Sequence, residues 1–351
     1  MKKTILVVGL IILVFLLYVL NIFVSTGYFR EITPFMAGEV IKKIEIPGAE
    51  DITISYEGQF ALISSDDRAS RRDGEPHQGG LFYLDLKSDN LEPKLISGQF
   101  EKPFNPHGIS LYQVDSALYK VLVINHVRGV HSVEHFILSG DSLVHQETLQ
   151  DASMISPNDV VAIDENRFYF TNDHGYTSRL GVFFENYLGL SVSNVVLFDG
   201  SDYREVAPGI AYANGINYDP KRSLVYVASP RGFAIKVYEV GPEYDLTHLT
   251  DIDVNTGADN IEIDQNGFLW IGAHPDLLGF KAYSSGKKSI APSEVLKVDF
   301  RGESDYSIEQ IMVDNGNIIS ATSVAAVYKD IVLIGNVMDD HFLIIRLSSE
   351  K

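Results

Sequence analysis

Six times along this chain a short polar pair gives way to an apolar run, a brief polar turn and a second apolar run, and no other feature narrows the fold so far. The copies are "ITISYEGQFALISS" from Ile52, "ISLYQVDSALYKVLVINH" from Ile109, "VVAIDENRFYFTND" from Val160, "INYDPKRSLVYVAS" from Ile216, "IEIDQNGFLWIGAH" from Ile261 and "VAAVYKDIVLIGN" from Val324. Each reads as a β-hairpin, because runs rich in Val, Ile, Tyr and Phe bounded by turn residues favour paired strands. Successive copies start roughly 45 to 63 residues apart, a period that suits one blade of a β-propeller with loop insertions. Between the hairpins lie "GGLFYLDL", "HSVEHFIL", "SNVVLFDG", "AIKVYEV" and "SEVLKVDF", which supply outer strands. The expected fold is therefore all-β, a six-bladed β-propeller. The run "EVIKKIEI" before the first copy and "HFLIIRLS" after the last are expected to pair and close the ring, since an open sheet edge is otherwise left.

At the heads of the copies stand Glu50-Asp51, His107-Gly108, Asn158-Asp159, Asn214-Gly215, Asp259-Asn260 and Thr322-Ser323. Asn and Asp are poor strand formers and common in turns, so any one pair marks only a loop meeting a strand. In a propeller, however, the innermost strand of every blade lines the central channel, and residues at one end of those strands converge on the axis. Seven acid or amide side chains, Glu50, Asp51, Asn158, Asp159, Asn214, Asp259 and Asn260, then point oxygens into one region, with no Lys or Arg at the same repeat positions. Clustered carboxylates raise one another's pKa unless a cation sits among them. Mixed carboxylate and amide oxygens suit calcium, which accepts six to eight oxygens in a loose geometry, better than magnesium, which keeps more of its water.

Composition removes several alternatives. The chain has 351 residues, 45% of them hydrophobic, and no Gly/Ser-rich or Pro-rich linker divides it. With 47 acidic against 28 basic residues and a net charge of -19, it lacks the clustered Lys and Arg that a nucleic-acid partner requires. There is no cysteine, which excludes thiolate catalysis, Cys-ligated zinc, iron-sulfur clusters and disulfides. Any metal must use oxygen or imidazole. Neither the G-x-S-x-G elbow of serine hydrolases nor a phosphate-binding glycine motif occurs.

Ile5 to Val24 form an uncharged apolar run of twenty residues, about the length that spans a bilayer core as a helix. Lys2 and Lys3 precede it, so the positive-inside rule places the N-terminus in the cytoplasm and the remainder on the extracytoplasmic side. A cleaved signal peptide is the alternative. Its apolar region usually runs about 7 to 15 residues before a small-x-small site, and "NIFVSTGYF" matches such a site poorly. The organisation expected is a signal anchor over residues 1–30 and one propeller over residues 31–351.

The motifs "EDITI", "FNPHGIS", "VINH", "NDVVAI", "FYFTNDH", "ANGINYDP", "DNIEID", "LWIGAHP", "SEVLKVDF" and "VYKDIVLIGNV" occur in this order from about Glu50 to Leu347. Through them the chain resembles the serum paraoxonases and arylesterases, calcium-dependent lactonases with a six-bladed propeller fold. The resemblance implies two calcium ions in the channel. Glu50, Asn158, Asn214, Asp259 and Asn260 match ligands of a catalytic calcium, while Asp51, Asp159 and the backbone carbonyl of Ile109 match ligands of a deeper, structural one. His107 and His126 match a histidine pair proposed to activate water, and Asp173 and His274 fall on active-site or supporting positions. Two departures stand out. The disulfide and free cysteine of the animal members are missing, and Ser64 to Gly80, "SSDDRASRRDGEPHQGG", is far more charged than the loop that overhangs their active site.

The expected activity is calcium-dependent hydrolysis of lactones and aryl esters, small-molecule substrates whose carbonyl calcium polarises while His107, assisted by His126, takes a proton from water. The alternative is a non-catalytic, calcium-stabilised propeller that binds a ligand or partner at the cell envelope. His131, His135 and His341 read as ordinary surface or core residues. Tyr176 to Leu190 reads as a helix over the active-site face, touching lipid or hydrophobic substrate, or else as plain rim packing.

Overall fold

Each hairpin forms the two inner strands of an antiparallel sheet, and six such sheets follow one another in chain order. The structure is a computed structural model describing residues 2–75, 77–127 and 130–348. Blade 1 consists of Ala49–Ser55, Phe60–Ser65, Gly80–Asp85 and Lys94–Leu95; blade 2 of Pro106–Gln113, Leu118–Val127, Val130–Ser139 and Ser142–Leu149. Blade 3 runs Pro157–Ala162, Phe168–Asn172, Ser193–Phe198 and Tyr203–Ile210, and blade 4 Ile216–Asp219, Leu224–Ser229, Ala234–Val240 and Leu246–Asp253. Blade 5 contains Gly257–Ile263, Leu269–His274, Ser293–Gly302 and Asp305–Asp314, with the short strand Phe35–Met36 added at its outer edge. Blade 6 contains Thr322–Tyr328, Ile331–Asn336 and Phe342–Leu347.

The fourth strand of blade 6 is Gly38–Ile44, which lies antiparallel to Phe342–Leu347 with Gly38 opposite Leu347 and Ile44 opposite Phe342. The two ends of the propeller thus share one sheet, as the sequence predicts. The innermost strands touch in chain order and the sixth returns to the first, so the ring is complete. Six apolar clusters fill the spaces between adjacent blades, for example Ile52, Ile63, Val324 and Leu333 between blades 1 and 6. Strands sandwiched in this way are apolar on both faces. That is why "VLVIN" and "IVLIG" are continuous apolar runs rather than alternating ones.

Among the described residues, four α-helices lie outside the sheets: α1 (Lys2–Ser25), α2 (Arg68–Arg72), α3 (Arg179–Leu188) and α4 (Leu277–Ser284). Helix α1 buries none of its residues and is long and apolar enough to cross a membrane. Its C-terminal end meets the propeller. Arg231 donates to the Ser25 carbonyl, the Leu277 N–H donates to the Thr26 carbonyl, and Arg30 makes a two-pronged ion pair with buried Glu294 at 2.5 and 2.7 Å.

Candidate active site

In every blade but the fourth, the polar pair stands inside the innermost strand rather than before it. In five blades the ladder to the second strand breaks register across the pair, between Ala49 and Asp51, Pro106 and Ile109, Pro157 and Val160, Ala258 and Ile261, and Thr322 and Ala325. A bulge of this kind re-aims side chains without ending the strand. In blade 4 the pair Asn214-Gly215 precedes Ile216, yet both residues bond to Ala228 of the neighbouring strand, through the Asn214 N–H and the Gly215 carbonyl. The backbone is crowded here: a Cβ on Gly108 would meet Asp159 Oδ1 at 2.2 Å and one on Gly215 would meet the Asp259 carbonyl at 2.5 Å.

Glu50, Asp51, Asn158, Asp159, Asn214, Asp259 and Asn260 are all buried. Among the described residues, Glu50 Oε2 and the amide oxygens of Asn158, Asn214 and Asn260 have no hydrogen-bond partner. Four orphaned acceptors at one place are uncommon, because an unsatisfied buried polar atom costs about 1–3 kcal/mol. The amide nitrogens of two of them do have partners: Asn260 Nδ2 donates to the Glu50 carbonyl and to Glu50 Oε1, each at 3.1 Å, and Asn214 Nδ2 donates to Asp259 Oδ1. These amides therefore keep their oxygens free. No three His, Asp or Glu side chains among the described residues close on one point as a metal-ligand set. The donors are instead a mixed group of carboxylate and amide oxygens, which is the chemistry calcium prefers.

Asp51 and Asp159 form a second layer that links blades. Asp51 accepts from the N–H of Ile52 and, at 2.8 Å, from that of Ile109; Asp159 accepts from Val160 and from Ile216, each at 2.7 Å. Burial, and then the charge of Glu50 beside Asp51 and of Asp51 beside Asp159, pushes both carboxyls well above the usual range. Glu50 behaves oppositely. Burial alone would raise it, but His107, with Nε2 at 3.3 Å, and the Arg68 guanidinium at 3.8 Å bring it down to about 2.

A cavity of about 330 Å³ opens above this layer. Glu50, His107, Asn158, Asp173, Asn214, Asp259 and His274 line it, whereas Asp51, Ile109, His126, Asp159 and Asn260 do not. His126 lies behind His107, with ring centroids 4.8 Å apart, and burial followed by the neighbouring histidines holds its pKa far below the ordinary value. His274 Nε2 contacts Asp259 Oδ2 at 2.8 Å, and its ring stacks on Phe280. Helix α3, capped by Ser178 and ended by a left-handed Gly189, turns Val182, Asn186 and Tyr187 to the cavity and leaves Leu180, Phe183 and Phe184 exposed.

Several residues of the site carry no signal in the repeat. Arg68 brings a cation to Glu50 from α2, a helix started by Asp67 within the charged segment that the sequence shows only as a loop. His131 packs edge-on against His126 at 4.9 Å instead of standing apart from the site. His174 and Tyr212 also line the cavity, and Tyr212 holds an unusual φ of 65°. His135 and His341, as expected, pair with the peripheral carboxylates Glu147 and Asp340.

The chain is similar to known proteins in fold and in sequence. In structure, the chain is similar to a luciferin-regenerating enzyme (TM-score 0.56, 10% identity, 90% of this chain and 96% of the other). It is also similar to the calcium-binding protein regucalcin of Agrobacterium tumefaciens (0.51, 13%, 89% and 94%). In sequence it is 35% identical to serum paraoxonase/arylesterase 2 of Gallus gallus over 318 residues, 88% of this chain and 89% of that protein. It is 35% identical to serum paraoxonase/arylesterase 1 of Homo sapiens over 307 residues, 85% of each. Residues 30–343 match the family model described as arylesterase, and the chain therefore belongs to the arylesterase family.

Proposed function

We propose that this protein is a calcium-dependent hydrolase of lactones and aryl esters, held at a membrane by α1 with the propeller, residues 31–351, on the extracytoplasmic side. The observation that carries the proposal is the set of buried, unpartnered oxygens of Glu50, Asn158, Asn214 and Asn260 beneath a cavity also lined by His107. Together with Asp259 they would hold one calcium ion. Asp51, Asp159 and the Ile109 carbonyl would hold a second, deeper one, and a cation there would relieve the burial and the neighbouring carboxylate charge that raise the two aspartates. Calcium bound at the upper oxygens supplies a Lewis acid for the substrate carbonyl.

The rest of the chemistry falls to side chains. His107 takes a proton from the attacking water, and His126 orients it from a buried position where it stays neutral. Asn260 fixes Glu50 through both of its hydrogen bonds, and His274 braces Asp259. The α3 face and Phe280 line the cavity beside these groups. The purified protein, supplied with calcium, is expected to release phenol from phenyl acetate and to open a γ- or δ-lactone. A folded, calcium-loaded protein that hydrolyses neither would establish the non-catalytic alternative.

A further inference from the structure

We infer that His174, oriented by Asp173, is the general acid that protonates the leaving oxygen; this rests on the hydrolase reading above. His174 Nδ1 lies 2.7 Å from Asp173 Oδ1, which also accepts from the Ser156 hydroxyl. With Nδ1 so engaged, Nε2 is the ring atom left for chemistry. Nε2 is buried and makes no close hydrogen bond among the described residues, although the Asn186 side chain approaches the ring near enough to favour its proton, and His174 lines the same cavity as His107. A carboxylate, an imidazole and a free Nε2 in a substrate cavity form an acid–base pair whose outer nitrogen lacks only a reacting atom.

The surroundings hold this pair rigidly. Glu185 of α3 is buried and accepts from the backbone N–H groups of Gly175 at 3.2 Å and Tyr176 at 2.7 Å, fixing the chain directly after the dyad. The Tyr212 ring packs edge-on to His174 at 4.9 Å, and its left-handed backbone is strain of the sort that concentrates at functional sites. Burial by itself would favour the neutral ring, but Asp173, then Glu185 and Asn186, leave the His174 pKa above the ordinary value. A histidine whose proton is favoured by a neighbouring carboxylate suits proton donation.

The step balances. Water adds to the carbonyl carbon and its proton passes to His107. The bond between that carbon and the leaving oxygen then breaks, its electron pair goes to the oxygen, and the oxygen takes the proton from His174 Nε2. Loss of the His107 proton to solvent and uptake of one by His174 restore both groups; the acid product releases its remaining proton to solvent, leaving a carboxylate and an alcohol or phenol.

The test is leaving-group dependence, measured as kcat/KM for 4-nitrophenyl acetate, phenyl acetate and δ-valerolactone. In the wild type the rate should fall only gently as the leaving oxygen becomes more basic. His174→Gln should lose activity by a factor that grows along the series, from a few-fold for 4-nitrophenyl acetate to about 10²–10⁴-fold for the lactone. Asp173→Asn should give a weaker form of the same trend, which a purely structural defect does not produce. Equal losses across the series, or a wild-type rate already steeply dependent on the leaving group, would overturn the assignment. The latter needs no variant to fold. A wild type that hydrolyses no member of the series overturns the hydrolase reading and the dyad with it, whereas hydrolysis with uniform losses overturns the dyad alone.

Discussion

Asp159 is proposed to serve structure while its neighbour Asn158 serves chemistry. Its carboxylate ties blade 3 to blade 4 through the Ile216 N–H and sits near Asp51, so Asp159→Ala removes both an interblade bond and half of the deeper acidic pair. Low soluble yield is expected, and normal yield with normal calcium content would contradict its assignment to the deeper ion. Gly108→Ala should fail similarly, because its new methyl group would collide with Asp159 Oδ1. His107→Gln buries no new charge and should fold, with hydrolysis reduced about 10²–10⁴-fold if His107 is the base; near-normal lactonase activity would move that role elsewhere. Asn260→Ala should likewise fold and hydrolyse more slowly, having lost one oxygen donor and the brace on Glu50. The carboxylates and amides of the site are legible in the sequence because they recur at one repeat position. Arg68, His131, His174 and Tyr212 are not, since they come from a short helix, loops or hairpin ends with no counterpart in the other blades.

At the scale of elements, the hairpins and the ring closure follow from apolar runs punctuated by turn residues, which is information local enough to read directly. The bulges do not. Nothing in "SPNDVV" distinguishes a loop meeting a strand from a strand that bulges, since Asn and Asp favour both irregularities. Helix α2 is equally hidden, because its five residues are too few for a periodic pattern and Asp67 capping is the only local sign. The segment linking α1 to the sheets is bound through Arg30 and Glu294, and Glu294 is buried. Arg30→Met should therefore destabilise the protein by roughly 3 kcal/mol, since removing one partner strands a buried charge. Adding Glu294→Gln should recover part of that loss in a melting experiment. Equal stability of wild type and Arg30→Met would show that Gln310, which also donates to Glu294, is sufficient by itself.

For the whole molecule, six sheets that each bury both faces make a rigid frame, and its axis gathers groups as far apart in sequence as Glu50 and Asn260. The single apolar helix and the two lysines before it predict an extracytoplasmic propeller, so a reporter active only outside the cytoplasm should work when fused after Lys351. Activity of a cytoplasm-restricted reporter would reverse the orientation. The measurement that bears most directly on the central claim is a calcium titration of chelator-stripped protein, following phenyl acetate hydrolysis and thermal unfolding in the same samples. Both should rise together and saturate, with stabilisation of roughly 2.7 kcal/mol when free calcium is a hundredfold above Kd. Full hydrolysis and an unchanged melting temperature in protein shown to contain no metal would contradict the account.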